Sequence, residues 1–236
     1  MKRFRQLASA EDVHALALHW GILPFFAGSV PGFSIEERIA PRFWFPAEGE
    51  GIWEAKGPII RAGGLVYGKL YRKKACFITE SLYAHLRNWR RSRARLTPVE
   101  RTLLELLSAE CSLVSREWKS LAGFGTRRST RIDLRIGPEC FCETSDTEMR
   151  REGFDTAVAN LQMAGYVLIE DFEYNRDKQG RPYGWGLARY TTPECLLGEA
   201  ALEVTCSPQE SAERLAACLR AIPVEMTECA IARFIG

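Results

Sequence analysis

An α+β protein, mainly helical, is the fold class this sequence predicts, and three observations carry it. Apolar residues recur at helical spacing behind capping residues, as after Thr97 and after Ser207. Strand-like runs are fewer and shorter, the clearest being Tyr166 to Tyr174 and Tyr183 to Tyr190. From Pro98 to Tyr190 the elements follow in the order helix, helix, helix, hairpin, which is that of a winged helix-turn-helix. A loop-rich, aromatic N-terminal part allows a second such unit in tandem.

Composition bounds the rest. The 236 residues suffice for one large or two small domains, and 46% hydrophobic with 26% charged residues is the balance of a globular protein with a buried core. No apolar run reaches the ~18 residues of a membrane span. Glu11 and Asp12 interrupt the basic start before an export signal can form, so a cytoplasmic location is expected. The eight cysteines then read as reduced, mostly buried small hydrophobes. Cys140-x-Cys142 has no second pair or nearby histidine, so neither a metal nor another cofactor is expected.

Charge is unevenly placed. Between Lys56 and Arg101 twelve lysines and arginines stand against two acids, a net of +10. From Thr192 onward three arginines stand against seven glutamates, a net of −4. A basic centre beside an acidic tail points to a polyanionic partner for the centre.

In chain order, Ser9-Ala-Glu-Asp12 opens a helix with Val13, Leu16, Ala17 and Trp20 on one side, closed by Gly21. Its His14 and His19 read as structural or solvated. Ile22 to Pro58, dense in Pro, Gly and aromatic residues, predicts ordered loops and short strands rather than long helices. A segment this apolar must be covered or form a pocket, which makes it the first place to look for an active site. Leu65 to Tyr67 and Ala75 to Ile78 are short strands. Thr79 caps a helix over Glu80 to Arg91 with a stripe of Leu82, Leu86 and Trp89, ending in the arginine run to Arg95.

Thr97, Pro98 and Glu100 start the next helix, with Val99, Leu103, Leu106 and Leu107 buried. Ser115 caps a second helix, bearing Trp118 and Leu121. Within the insert 126–153, Arg131 to Ile136 alternates as an edge strand, and Ser145 to Arg151 is more polar. Phe154, Ala157, Val158 and Leu161 form a recognition helix closed by Gly165, and the hairpin follows with its tip at Asn175 to Arg181. Ser207-Pro-Gln-Glu210 caps a helix with Leu215, Cys218 and Leu219, and a last helix follows Thr227. These breaks give three parts: 1–95, 96–195 and a helical tail, 196–236.

Three stretches carry a resemblance: Lys74-Ala-Cys-Phe-Ile-Thr79 with the helix behind it, Ala109-Glu-Cys-Ser-Leu-Val-Ser-Arg-Glu117, and Leu161-Gln-Met-Ala-Gly-Tyr-Val167 with its hairpin. Trp53-Glu-x-Lys-Gly-Pro58, Tyr67-Gly-Lys69 and Arg176-Asp-Lys-x-Gly-Arg-Pro-Tyr-Gly-Trp185 extend it. Together they resemble a branch of the bacterial winged-helix family related to the interstrand-crosslink DNA glycosylases, the AlkZ-related proteins. The resemblance implies tandem winged helices, DNA binding and a link to DNA repair. Those glycosylases carry a Gln-x-Gln or Gln-x-Asp pair after their first helix; here the matching position reads Leu23-Pro24-Phe25.

The residues nominate their own sites. Duplex or branched DNA is expected at Arg87, Arg90, Arg91, Arg93 and Arg95 and at the wing tip through Arg176, Lys178 and Arg181. If the chain is an enzyme, Glu54 activates water with Lys56 beside it, at a base held among Phe25, Phe26, Trp44 and Trp53. Alternatively, Glu54 and Lys56 form an ion pair that holds a loop. Glu54-x-Lys56 is also half of a metal-nuclease motif, but the upstream aspartate is missing. A protein-interaction module with a basic face stands as the non-catalytic alternative.

Overall fold

The computed structural model describes residues 6–44, 46, 51–124, 152–180 and 182–236. Arg181, Cys140, Cys142, the strand expected at Arg131 to Ile136 and the polar stretch Ser145 to Arg151 lie outside the described residues.

Ser9 accepts the Asp12 N–H and opens α1 (Ala10–Trp20), which Gly21 closes at φ 75°. The Asp12 carboxylate reaches past the cap to the Ala8 N–H (3.0 Å). Strand β1 (Ile22–Pro24) and two single turns, α2 (Ile35–Arg38) and α3 (Pro41–Trp44), follow. Next come α4 (Ile52–Arg61) and a hairpin of β2 (Leu65–Tyr71) and β3 (Lys74–Thr79). Arg72 and Lys73, at φ 51° and 58°, form its two-residue turn, whose positive φ values match the twist of paired strands.

Helix α4 corrects the expectation that this region holds no long helix. Its ten residues contain both Gly57 and Pro58. Tertiary packing outweighs local propensity here: Ile52, Ala55, Ile59 and Ile60 are buried, and a Cβ on Gly57 would stand 2.6 Å from Asp171 Oδ1. Glycine at that position allows the helix to approach the sheet.

Helix α5 (Glu80–Arg93) leads into the second half. Thr97 and Glu100 cap α6 (Pro98–Glu110) reciprocally, as expected. Then come β4 (Ser112–Val114), α7 (Ser115–Leu121), α8 (Phe154–Met163), β5 (Leu168–Arg176) and β6 (Pro182–Thr191). Ser115 is the first residue of α7 rather than its cap, which falls to Val114. Gly165 takes φ 80° after α8, and β5 pairs antiparallel with β6 as the hairpin requires.

The described strands join one antiparallel sheet in the order β1-β3-β2-β5-β6-β4. The order reads the same from either edge in terms of the two halves. In each half the first short strand pairs with the returning hairpin strand, Leu23 opposite Phe77 and Leu113 opposite Tyr190. The halves meet where Tyr67 faces Ile169. The tail continues as α9 (Pro193–Leu197), α10 (Glu199–Leu202), α11 (Pro208–Ala221) and α12 (Glu228–Ile235). Ser207 and Glu210 cap α11, which packs along α5, while Phe234 of α12 stacks on Tyr71 with ring centroids 4.9 Å apart. The tail thus folds back onto the first half.

The six described cysteines carry free thiols, but only Cys76 is buried; Cys111, Cys195 and Cys229 are exposed. Among the described residues no helix is long and apolar enough to cross a membrane.

Candidate nucleic-acid interface

Helix α5 brings the arginine run together, and most of it faces inward. Arg90 is buried: its Nη1 donates to Leu70 O (2.8 Å) and Met163 O (3.0 Å), Nη2 to Phe234 O (2.6 Å) and Nε to Ile235 O (3.1 Å). Burial pushes its pKa down to about 10, so it still carries its charge at neutral pH. Its assignment to phosphate contact is corrected, because the guanidinium's donors already close four backbone carbonyls from three other elements. Arg87 Nη2 and Arg91 Nη1 both donate to Glu194 Oε1, at 2.7 and 2.6 Å, and Arg91 also covers the Tyr166 ring at 4.2 Å. Burial works against the Glu194 carboxylate, but the hydrogen bonds from Arg91 and Arg87 outweigh it and hold its pKa below the ordinary carboxylate value. Arg93 lies over Trp89 at 4.6 Å, and both Arg93 and Arg95 are exposed. The acidic tail therefore neutralises part of the basic centre within the molecule.

At the tip of the β5–β6 hairpin, Arg176 ends β5 and Lys178 is exposed in the turn where Gly180 takes φ 80°.

Phe25, Phe26, Trp44 and Trp53 do converge. Phe25 packs against Phe26 (5.0 Å between centroids), Trp44 (6.0 Å) and Trp53 (5.3 Å), and Trp44 meets Trp53 at 5.3 Å. They form a packed cluster rather than an open pocket, since Phe25 is wholly buried. Glu54 lies in the first turn of α4, where its Oε2 accepts the Gly51 N–H (3.0 Å), the role of a helix cap. Lys56 places Nζ 4.1 Å from the Phe172 ring centroid and 5.2 Å from that of Trp53. Burial lowers its pKa to about 8, partly offset by the Glu54 charge.

A cleft of about 620 Å³ opens instead at the seam between β2 and β5. Tyr67, Ile169, Phe172, Ala188 and Tyr190 form its floor, and Phe26 reaches it from the aromatic cluster. Lys69, Lys73 and Lys74 rim it, with Glu36 on the opposite sign. Lys74 Nζ donates to Ala27 O (3.2 Å), and Glu36 Oε2 accepts the Ala27 N–H (2.7 Å), so the two side chains hold one residue through both of its backbone groups. Among the described residues Lys69 and Lys73 make no ion pair. The sequence showed these lysines only as part of the +10 segment. Glu36 carries no signal, since only the turn at Ser34 swings it toward Ala27.

The chain is similar to a solved structure, the Streptomyces sahachiroi DNA glycosylase AlkZ, with a TM-score of 0.47 and 13% identity. The match covers 100% of this chain and 60% of that one, so the chain spans only part of that protein's length. No curated protein sequence matches it. The sequence model described as AlkZ related matches residues 7–236, and the chain therefore belongs to the AlkZ-related family.

Proposed function

We propose that this protein is a DNA-binding member of the DNA-repair machinery, built as two winged-helix units that share one sheet and hold nucleic acid over the cleft at their seam. The observation that carries the reading is the cleft itself: an aromatic floor, on which a base can stack, rimmed by Lys69, Lys73 and Lys74. The repeated order of helix, strand, helix and hairpin in each half supports the tandem arrangement. Family membership supports the repair role. Arg93, Arg95, Arg176, Lys178 and Arg181 extend the phosphate contacts beyond the cleft.

The test is titration of a labelled duplex and of a branched junction at several salt concentrations, with Lys69, Lys73 and Lys74 changed together to Glu. Each phosphate contact contributes about −0.9 to the slope of log K against log salt, so the triple variant should lose roughly three units of slope. An unchanged slope with intact folding ends this reading, and strong binding to an acidic protein with little salt dependence would replace it with the interaction-module reading.

One observation favours a second reading, hydrolytic excision of a base. A carboxylate, Glu36, lines the cleft with one oxygen on the Ala27 N–H, leaving the other to orient a water, whereas Glu54, also holding one backbone N–H, is not among the residues that line it. Incubation with alkylated and crosslinked duplexes, followed by scoring of abasic sites after heat and alkali, checks this. Product formation abolished by Glu36→Gln and retained by Glu54→Gln supports it; the reverse restores Glu54 as the water-activating group.

A further inference from the structure

Away from the seam, α5 and the start of α11 enclose a cluster that the nucleic-acid reading does not use. His85 Nδ1 lies 3.1 Å from Ser211 Oγ and 3.6 Å from Cys206 Sγ, and Cys206 Sγ lies 3.3 Å from Ser211 Oγ. Asn88, nearly one turn along α5 from His85, donates Nδ2 to Ser211 Oγ (2.9 Å) and to Cys206 O (3.2 Å). Ser211 is fully buried, while His85 and Cys206 are half-buried.

Counting donors orders these contacts. A serine hydroxyl has one proton to give and two lone pairs to accept with. Asn88 occupies one lone pair of Ser211. With the His85 ring proton on Nε2, the other accepts the Cys206 S–H, and the Ser211 proton goes to His85 Nδ1. The result is a directed chain, Cys206 to Ser211 to His85, with legs of 3.3 and 3.1 Å. Burial, and behind it the Arg214 charge, hold the His85 pKa below its ordinary value, so the ring is neutral at neutral pH and able to accept a proton.

We propose that Cys206 is a nucleophilic thiol whose proton is relayed through Ser211 to His85, and that its substrate class is small peroxides. As the sulfur attacks one peroxide oxygen, an S–O bond forms and the O–O bond breaks. Ser211 passes its proton to His85 and takes that of Cys206, and His85 returns a proton to the departing oxygen. Cys206 becomes a sulfenic acid, oxidised by two electrons, and hydrogen peroxide is reduced to water. Asn88 is a positioning residue, since it holds both the Cys206 carbonyl and the relay hydroxyl.

The experiment treats the full chain with hydrogen peroxide in the presence of dimedone and follows each cysteine by peptide mass spectrometry. Cys229, exposed on α12, supplies the rate of an ordinary thiol, and buried Cys76 reports loss of the fold. Cys206 should label about tenfold faster than Cys229, the gain expected from assisted thiolate formation. His85→Gln should bring it down to the Cys229 rate with Cys76 still unlabelled. Cys206 labelling no faster than Cys229 in the wild-type chain overturns the proposal without recourse to any variant. So does an undiminished Cys206 rate in His85→Gln with Cys76 protected.

Discussion

Helix α5 and the turn between β2 and β3 are both strongly basic in sequence, and the fold treats them in opposite ways. From Arg87 to Arg95 the cations are arginines. Arg90 closes four carbonyls from three elements, and Arg87 and Arg91 share Glu194. From Lys69 to Lys74 three of the four cations are lysines, set around an open cleft. The side chains themselves explain the difference. A guanidinium presents five donors in a planar fork and is weakly hydrated, so it can bind several carbonyls inside a protein. An ammonium is a compact, strongly hydrated charge that is costly to bury, so lysines on a turn stay at the surface. Charge density along a sequence thus marks where cations are concentrated, and not whether they are available to a partner.

The largest effect that would break this contrast is at Arg90. Arg90→Met should destabilise the fold by roughly 3 kcal/mol or more, because several buried carbonyls lose their only charged donor. Arg90→Lys should recover little of it, since one ammonium cannot span the same acceptors. Urea denaturation measures both, and a Lys variant as stable as the wild type would contradict the fork argument. Charge reversal of Lys69, Lys73 and Lys74 should do the opposite: DNA affinity falls by about 100-fold near 0.1 M salt while stability stays within about 0.5 kcal/mol.

Glu194 sharpens the comparison because it links the tail to α5. Its folded pKa is depressed below the ordinary value of 4.5, so its stabilisation is fully present above the unfolded pKa and is lost as pH falls through the folded one. Glu194→Gln should lower stability at pH 7 by about 1–2 kcal/mol and flatten the acid limb of the stability curve below about pH 4.5. It should also raise nonspecific DNA affinity by releasing Arg87 and Arg91. Thermal unfolding between pH 3 and 7, with anisotropy titrations, reads both effects. The smallest change is expected at the wing tip. Lys178→Ala should reduce the salt slope of binding by about one unit and alter stability by less than about 0.5 kcal/mol.

Much of the fold could be read before any coordinates. The caps at Thr97 and Ser207, the left-handed Gly21 and Gly165, and the pairing of β5 with β6 all follow from residues within a few positions of one another. Helix α4 was missed because Gly57 and Pro58 are local breakers, and only packing against Asp171 and the sheet reveals why they are accommodated. The capping bond of Glu54 is hidden for a related reason: among aromatic neighbours a lone carboxylate looks catalytic, while its bond to the Gly51 N–H becomes visible only once residues 52–61 are known to be helical. The convergence of Phe25, Phe26, Trp44 and Trp53 was anticipated, but not that they close on one another and leave the open space at the seam.

By itself, the sequence determined most of the longer helices, the caps at Ser9, Thr97 and Ser207, the antiparallel pairing of β5 with β6 and the family to which the chain belongs. These rest on hydrogen bonds and periodicities spanning a few residues, and on motifs that can be matched by eye. The tertiary structure alone decided that both halves share one sheet, that Glu194 pairs with Arg87 and Arg91, that a lysine-rimmed cleft lies at Tyr67 and Ile169, and that His85 meets Cys206 and Ser211. Each of those facts joins residues dozens of positions apart. Such contacts depend on how whole elements pack, and no local spacing in the chain encodes them.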